Sequence, residues 1–412
     1  MSAVTEQSLA PLQSEGSAEG ARKVHKMRIC FVLLPIEHYS PVSGGAIATI
    51  TYHVTRELVQ QGHEVFILAA FDGQPNYLEG TVLQIFGPPR DRWERLRDRL
   101  EAHWFRWDWH GYGRFRQDVL RWLEALQPDV VSFSNDLLGA EWARVAAPGA
   151  RLGVWLHNAC RCRRSVSRSL RDTDFFIACS GYLRSWYLQE YGLDPRKISA
   201  VLAGVDHTIF RPRSPVGDGA LRALFVGRLD YNKGLDLAID AVGQLRAEGI
   251  PVSLTVAGSV WFHGGGIMGG DYMERMRPAL QRPGVRWFGH VPREWIPRVM
   301  SQCEVCLVLS RSEEPFGLVV LEAMASGLAV ITSGRGGLGE AAGGAALEIP
   351  GLSASEVASA LRELQSDPAK LALWSRRSLA RACGVSWQQT ARGFLRAVSG
   401  ECEGQSYATI GN

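Results

Sequence analysis

Two glutamates and a glycine between them carry the densest chemical information in this chain. Glu314 and Glu322 stand in an E-x7-E spacing within S-R-S-E-E-P-F-G-L-V-V-L-E-A-M-A-S-G, residues 310–327. The apolar run 305–309 reads as a buried strand that leads into a short acidic loop. From Gly317 a helix is predicted, with Leu318, Leu321, Met324 and Ala325 at helical spacing and Gly327 as its stop. Pro315 suits the first turn of that helix and biases Glu314 away from helical geometry. Gly317 removes a side chain where the first free N–H groups point outward, a place suited to phosphate. One acid then sits in the loop and the other about two turns into the helix. Both can reach one extended ligand. Taken singly, each is an ordinary solvated glutamate.

A second set decides between those readings. Arg228 and Lys233 occupy a loop, 228–234, after an apolar run at 224–227. In an open parallel sheet, loops that follow strands gather on one rim. Two cations on the rim that carries Glu314 and Gly317, without a clear Mg²⁺ motif, suit a diphosphate neutralised by the protein itself. The two glutamates then serve separate parts of a ligand and are no acid/base dyad.

The elements that must position these groups follow from periodicity. The run 29–34 reads as a first strand. A loop with Pro41, Ser43, Gly44 and Gly45 follows, then a helix with Ile47, Ile50, Val54 and Leu58 on one face and Gly62 at its stop. Further strands are expected at 64–70, 81–86, 130–133, 151–156, 175–179 and 197–202, with helices between several of them. This makes a first doubly wound domain. Ser43-Gly44-Gly45 is not a G-x-G-x-x-G fingerprint and is a weak phosphate signal alone. His157, in W-L-H-N, stands at a strand end, which places it on the rim. A lone histidine is more often structural. A second unit of the same order begins at Ala223, with strands at 253–257, 285–288, 305–309 and 329–332. The segment 261–270, with five glycines, reads as a flexible loop.

Composition bounds the class. The chain has 412 residues, 46% hydrophobic and 21% charged, with a net charge of +3. That balance is ordinary for a globular protein and too weak to argue for nucleic acid. No apolar run reaches membrane-spanning length. Eight cysteines without a dense framework read as reduced cytosolic thiols. Cys303 and Cys306 have C-x2-C spacing, but Cys306 lies in an apolar run, and Cys160 and Cys162 have no second pair nearby. No metal site is expected. Residues 1–26 read as a disordered tail. The basic residues before 29–34 mimic a signal peptide, but no small-residue cleavage site follows. Residues 90–122 mix nine arginines with five tryptophans, and Arg161, Arg163, Arg164, Arg168 and Arg171 crowd the stretch after His157. The plain reading is a solvated helical surface. The sharper one is a basic, aromatic face for an anionic or lipid-linked acceptor at a membrane.

E-E-P-F-G-L-V-V-L-E-A-M-A-S-G, F-V-G-R-L-D-Y-N-K-G-L, A-G-V-D-H-T-I-F-R-P and P-V-S-G-G together resemble the retaining glycosyltransferases of family 4, over roughly residues 27–399. The resemblance implies an α/β GT-B fold: two Rossmann-like domains, at 27–208 and 209–384, with a cleft between them. V-S-W-Q-Q-T-A would begin a terminal helix, within 385–412, that crosses back to the first domain. It implies a nucleotide-sugar donor on the second domain, an acceptor on the first, and no cofactor or required metal. Arg228 and Lys233 would grip the diphosphate. Glu314 would bind the donor sugar, Glu322 the ribose, and the backbone of Phe316, Gly317, Leu318 and Val319 would cap sugar and phosphate. Gly44 and Gly45 would let the first loop approach the phosphates, and His157 would face the sugar. The base would be read by backbone near 289–292. The acceptor would be a glycan, a lipid-linked molecule or a small molecule, as in polysaccharide or glycolipid synthesis, with the protein in the cytoplasm or at the inner face of a membrane. Leu309 replaces a common proline, and S-N-D follows the strand 130–133 where a histidine-bearing pattern is usual. Asp136 is therefore a weaker candidate on the acceptor side. A sugar-nucleotide epimerase and a non-catalytic binding subunit are the alternatives.

Overall fold

Thirteen of the strands fall into two all-parallel sheets, and the order of strands within each explains where the chemistry must lie. The computed structural model describes residues 26–401 apart from 72, 87–90, 105–110, 163–164, 213–218, 260, 264–265 and 269. The first sheet runs, edge to edge, Thr81–Gln84, Glu64–Ala69, Arg28–Val32, Val130–Ser134, Arg151–Leu156, Phe175–Ala178 and Ile198–Ala200. The second runs Val285–Trp287, Val252–Ala257, Leu221–Val226, Val305–Val308, Ala329–Thr332 and Leu347–Glu348. In both, the chain starts in the middle, builds outward on one side, then returns to build on the other. The reversal leaves a crevice at the carboxyl ends of the central strands. The strands read as nearly continuous Val/Ile/Leu/Phe runs because helices cover both faces.

The terminal helix ties the halves together. Ser386 caps it in a reciprocal capping box with Gln389, and Trp387–Ser399 follows. Its Phe394 is fully buried against Phe31, Trp155 and Phe175 of the first domain, with ring centroids 5.2, 5.5 and 6.4 Å away. Trp387 stacks on His53, 4.4 Å between centroids. The chain passes between the sheets beside this helix start: Val205 bridges Ser386, and a Cβ on Gly204 would lie 2.3 Å from the Trp387 nitrogen. The crossing-back helix expected from the sequence is thus present.

Some expectations need correction. Within 261–270, expected to be a flexible loop, Trp261–His263 and Gly266–Met268 pair as antiparallel strands. Glycine count argued for a loop, whereas main-chain pairing needs no side chain. Leu347–Glu348 was too short to read as a strand. Pro315 precedes the helix, which starts at Leu318 with Gly317 as its N-cap. The tail expected at 1–26 lies outside the described residues except Lys26, as do 402–412. Among the described residues no helix is long and apolar enough to cross a membrane, no cluster of metal-ligating side chains occurs, and the cysteines are free thiols.

Candidate active site

The loop that carries Glu314 is held from three sides. Arg311 donates to both oxygens of Asp236, at 2.8 and 2.5 Å, and to the Tyr231 carbonyl at 2.6 Å. Its own N–H reaches the Asn232 carbonyl at 2.7 Å. Planar bidentate pairing of this kind fixes orientation as well as distance. It bolts the acidic loop to the turn Tyr231–Lys233, whose Asp230 cap receives Asn232 N–H at 3.0 Å. Gly234 then turns with φ +72°, so close beneath Leu309 that a Cβ would meet its carbonyl oxygen at 2.3 Å. Gly336, at φ +63°, gives the Glu314 backbone the same close approach from the other side, and Gly337 N–H reaches the Glu314 carbonyl at 2.7 Å.

These constraints bring Lys233 Nζ to 2.6 Å from Glu314 Oε1, and Ser310 Oγ donates to the same oxygen. Arg228 lies in the same loop system, half exposed, with its Nε 3.5 Å from Asp230 Oδ2. The sequence therefore placed Arg228, Lys233 and Glu314 on one rim, and the structure assembles them there. The helix Leu318–Ala325 opens beside them. Gly317 has φ +107° and its N–H groups receive no side-chain cap. Phe316 is buried, while Leu318 and Val319 are partly covered. Glu322 is buried on this helix and its carboxylate accepts from Arg293, a partner that the sequence did not disclose.

The opposite wall is built differently. Gly44 packs so tightly that a Cβ would lie 2.3 Å from the Ser40 oxygen. Gly45 caps the helix Ala46–Gln60 without a side-chain contact. Beside it lies the buried Glu37, one carboxylate oxygen 3.4 Å from where a Gly45 Cβ would be. Burial raises that carboxyl to about 7. His157 is 5% exposed and stacks on Trp155, and burial lowers its imidazole to about 3. Neither ring nitrogen has a hydrogen-bond partner among the described residues. Its backbone N–H donates to Asn135 Oδ1 at 2.7 Å. Asn135 sits at φ 57°, a left-handed geometry that asparagine tolerates better than most residues. Asn135 thus holds the His157 backbone. Asp136 is buried and accepts from Tyr112 Oη at 3.0 and 2.9 Å and from Leu138 N–H, so its carboxylate organises the first-domain helices.

The two walls meet through polar contacts. Ser180 Oγ donates to the Pro315 carbonyl at 2.6 Å. Glu340 accepts from Gly181 N–H at 2.6 Å and Tyr182 N–H at 2.5 Å, at the start of the helix Gly181–Tyr191. Glu340, Arg311, Arg293 and Asn135 escaped the sequence reading. The one signal that pointed near Glu340 is the run Gly334, Gly336, Gly337, all in the loop before it.

The architecture recurs in known proteins. Residues 206–380 match the family described as Glycosyl transferases group 1, and residues 44–209 match Glycosyltransferase Family 4. The glycogen synthase of Mycobacterium tuberculosis is 26% identical over 421 residues, covering 91% of this chain and 96% of that one. Among solved structures, a glycosyltransferase from Rickettsia africae has a TM-score of 0.70 at 15% identity, covering 91% of this chain and 98% of its own. Anabaena HepE, in complex with UDP and glucose, has a TM-score of 0.67 at 17% identity, covering 90% and 99%. With both halves matched in order, the chain belongs to the GT-B glycosyltransferases of the family 4 type.

Proposed function

We propose that this enzyme transfers a sugar, with retention of configuration, from a UDP- or GDP-linked donor to a hydroxyl of a glycan, lipid-linked or small-molecule acceptor. The observation that carries the reading is the Lys233–Glu314 pair beside Arg228, next to an uncapped helix start. A bound diphosphate would exchange places with the carboxylate on Lys233, leaving Glu314 for sugar hydroxyls. Arg228 and the N–H groups after Gly317 would share the remaining phosphate charge. Two cations at that place supply what a metal ion supplies elsewhere, so the proposal contains none. Glu322, held by Arg293, would take the ribose hydroxyls. Phe316, Gly317, Leu318 and Val319 would line sugar and phosphate with backbone, and Gly44 and Gly45 would close over them.

No unpaired general base is needed. The acceptor oxygen bonds to the anomeric carbon on the face that the leaving group departs. The carbon–oxygen bond to the diphosphate breaks, and the acceptor proton passes to a donor phosphate oxygen. His157, kept neutral by burial, would hydrogen-bond a sugar hydroxyl. UDP is favoured because the similar Anabaena protein was solved with UDP-glucose. The thiol usage supports a cytoplasmic location.

The test is to screen UDP-, GDP- and ADP-sugars for thermal stabilisation and for nucleotide release. One base is expected to raise the melting temperature and to be released when an acceptor is added. No response to any of them would overturn the proposed reaction.

A further inference from the structure

One element of the first domain is folded inside out. The helix Arg92–Trp104 packs against Tyr112–Leu126. Its buried positions are Asp98 and Ala102. Its large apolar residues all face solvent: Trp93 is 64% exposed, Leu96 45%, Leu100 49% and Trp104 77%. At 100° per residue these four fall within an arc of about 80°, centred opposite Asp98 and Ala102. A helix on a water-facing surface carries the reverse pattern. Here the polar side is satisfied inward, because Asp98 pairs with Arg114 at 2.8 Å, both largely buried.

Charge selects the occupant. Arg92 and Arg99 lie along one edge of the stripe and Arg97 along the other, all exposed. The Arg92 guanidinium lies 5.0 Å over the Trp93 ring. Arg97 reaches back to Glu94 and Glu101, at 3.4 and 3.8 Å. A second copy on this face would bring arginines against arginines. A bilayer surface with anionic headgroups instead takes the apolar stripe into its interface, the tryptophans at headgroup depth and the arginines onto phosphate.

We propose that the Arg92–Trp104 helix docks this enzyme on an anionic lipid surface. The opposite, buried side of this helix packs towards the first-domain wall. A Cβ on Gly111 would stand 3.2 Å from Asp98, and the next residue, Tyr112, holds Asp136 at the sheet's carboxyl rim. With the helix on the surface, the first domain would face the bilayer, and a lipid-linked hydroxyl would reach the cleft from that side. That consequence rests on the transfer reading above; the docking surface does not.

The experiment is co-sedimentation of the full chain with vesicles of phosphatidylcholine, alone and mixed with phosphatidylglycerol. The wild type should sediment with the mixed vesicles, and less as salt rises. Leu96→Ser with Leu100→Ser should lower that binding about tenfold or more at an unchanged melting temperature, since both sites are exposed. Arg92→Glu with Arg99→Glu should do the same and guards against misfolding of the first variant. Sedimentation with neither vesicle overturns the proposal. So does binding that survives both variants, or a concentration-dependent dimer that the stripe variants dissolve without any vesicle binding. Donor-dependent nucleotide release, measured without vesicles, separates the two readings: release without vesicle binding removes the surface and leaves the transfer chemistry, and the opposite result does the reverse.

Discussion

The two walls of the cleft solve the burial of polar groups in opposite ways. On the second-domain wall the charges come in pairs: Lys233 with Glu314, Arg293 with Glu322, Arg311 with Asp236. On the first-domain wall two titratable groups are shifted towards their neutral forms. His157 is pushed down to about 3 and Glu37 up to about 7, each by burial alone. Paired charges at a rim can exchange partners with a charged ligand at modest cost, because each ion keeps a counter-charge throughout. Neutral buried groups offset no diphosphate charge, but they can hydrogen-bond hydroxyls without a competing ion. The contrast suits the proposed reading, with the diphosphate charge met on the second-domain wall.

The sharpest way to break this comparison is to remove a rim cation. Lys233→Ala or Arg228→Ala should lower turnover by about 10²–10³, the loss typical of one preorganised donor at developing charge. Near-wild-type turnover in both would mean that the pairs are structural. Gly317→Ala comes next. At φ +107° its Cβ would sit 2.5 Å from Leu338 Cδ2. Strain of that kind costs about 1–3 kcal/mol, so urea denaturation should show a lower midpoint. An unchanged midpoint would show that the helix start tolerates a side chain, against its role as a backbone phosphate cradle. Glu322→Ala should weaken nucleotide binding about tenfold while turnover at saturation changes little, the signature of a group that touches the ribose. Calorimetry showing unaltered nucleotide affinity would detach Glu322 from the ligand.

A separate readout, pH, probes the first-domain wall. Below its ordinary 6.5 the unfolded imidazole of His157 binds a proton that the folded one refuses until about 3. Stability therefore falls as pH drops from about 6.5 towards 3, by about 1.4 kcal/mol per unit for this residue. His53, also lowered to about 3, adds a term of the same sign. Glu37 opposes both between 4.5 and about 7, where only the folded carboxyl keeps its proton and stability is lost as pH rises. His157→Phe should flatten the acid limb by one histidine's share while turnover falls. If the slope is unaltered, His157 is not the buried neutral base described here.

The second-domain rim was legible in the chain because its groups are local. Glu314, Gly317 and Glu322 lie within one loop and one helix, and Arg228 and Lys233 within one turn. Strand order did the rest, since loops after parallel strands share a rim. Alternation of apolar runs with helices made both sheets readable, apart from the hairpin at Trp261–His263 and the two-residue edge strand at Leu347–Glu348. On the first-domain side the sequence named Asp136 but not its partner Tyr112, 24 positions away in the chain.

By itself, then, the sequence determined most secondary elements, their doubly wound order and the residues that gather on the second-domain rim, because those depend on periodicity and on short-range motifs. Only the tertiary structure decided the partners: Arg293 for Glu322, Arg311 for Asp236, Asn135 beneath His157, and Glu340 on the helix start of the other domain. It also decided that the apolar stripe of Arg92–Trp104 faces outward. A helical pattern shows which residues share a face, but not whether that face meets the core or the solvent. That choice is made by what the rest of the chain packs against it.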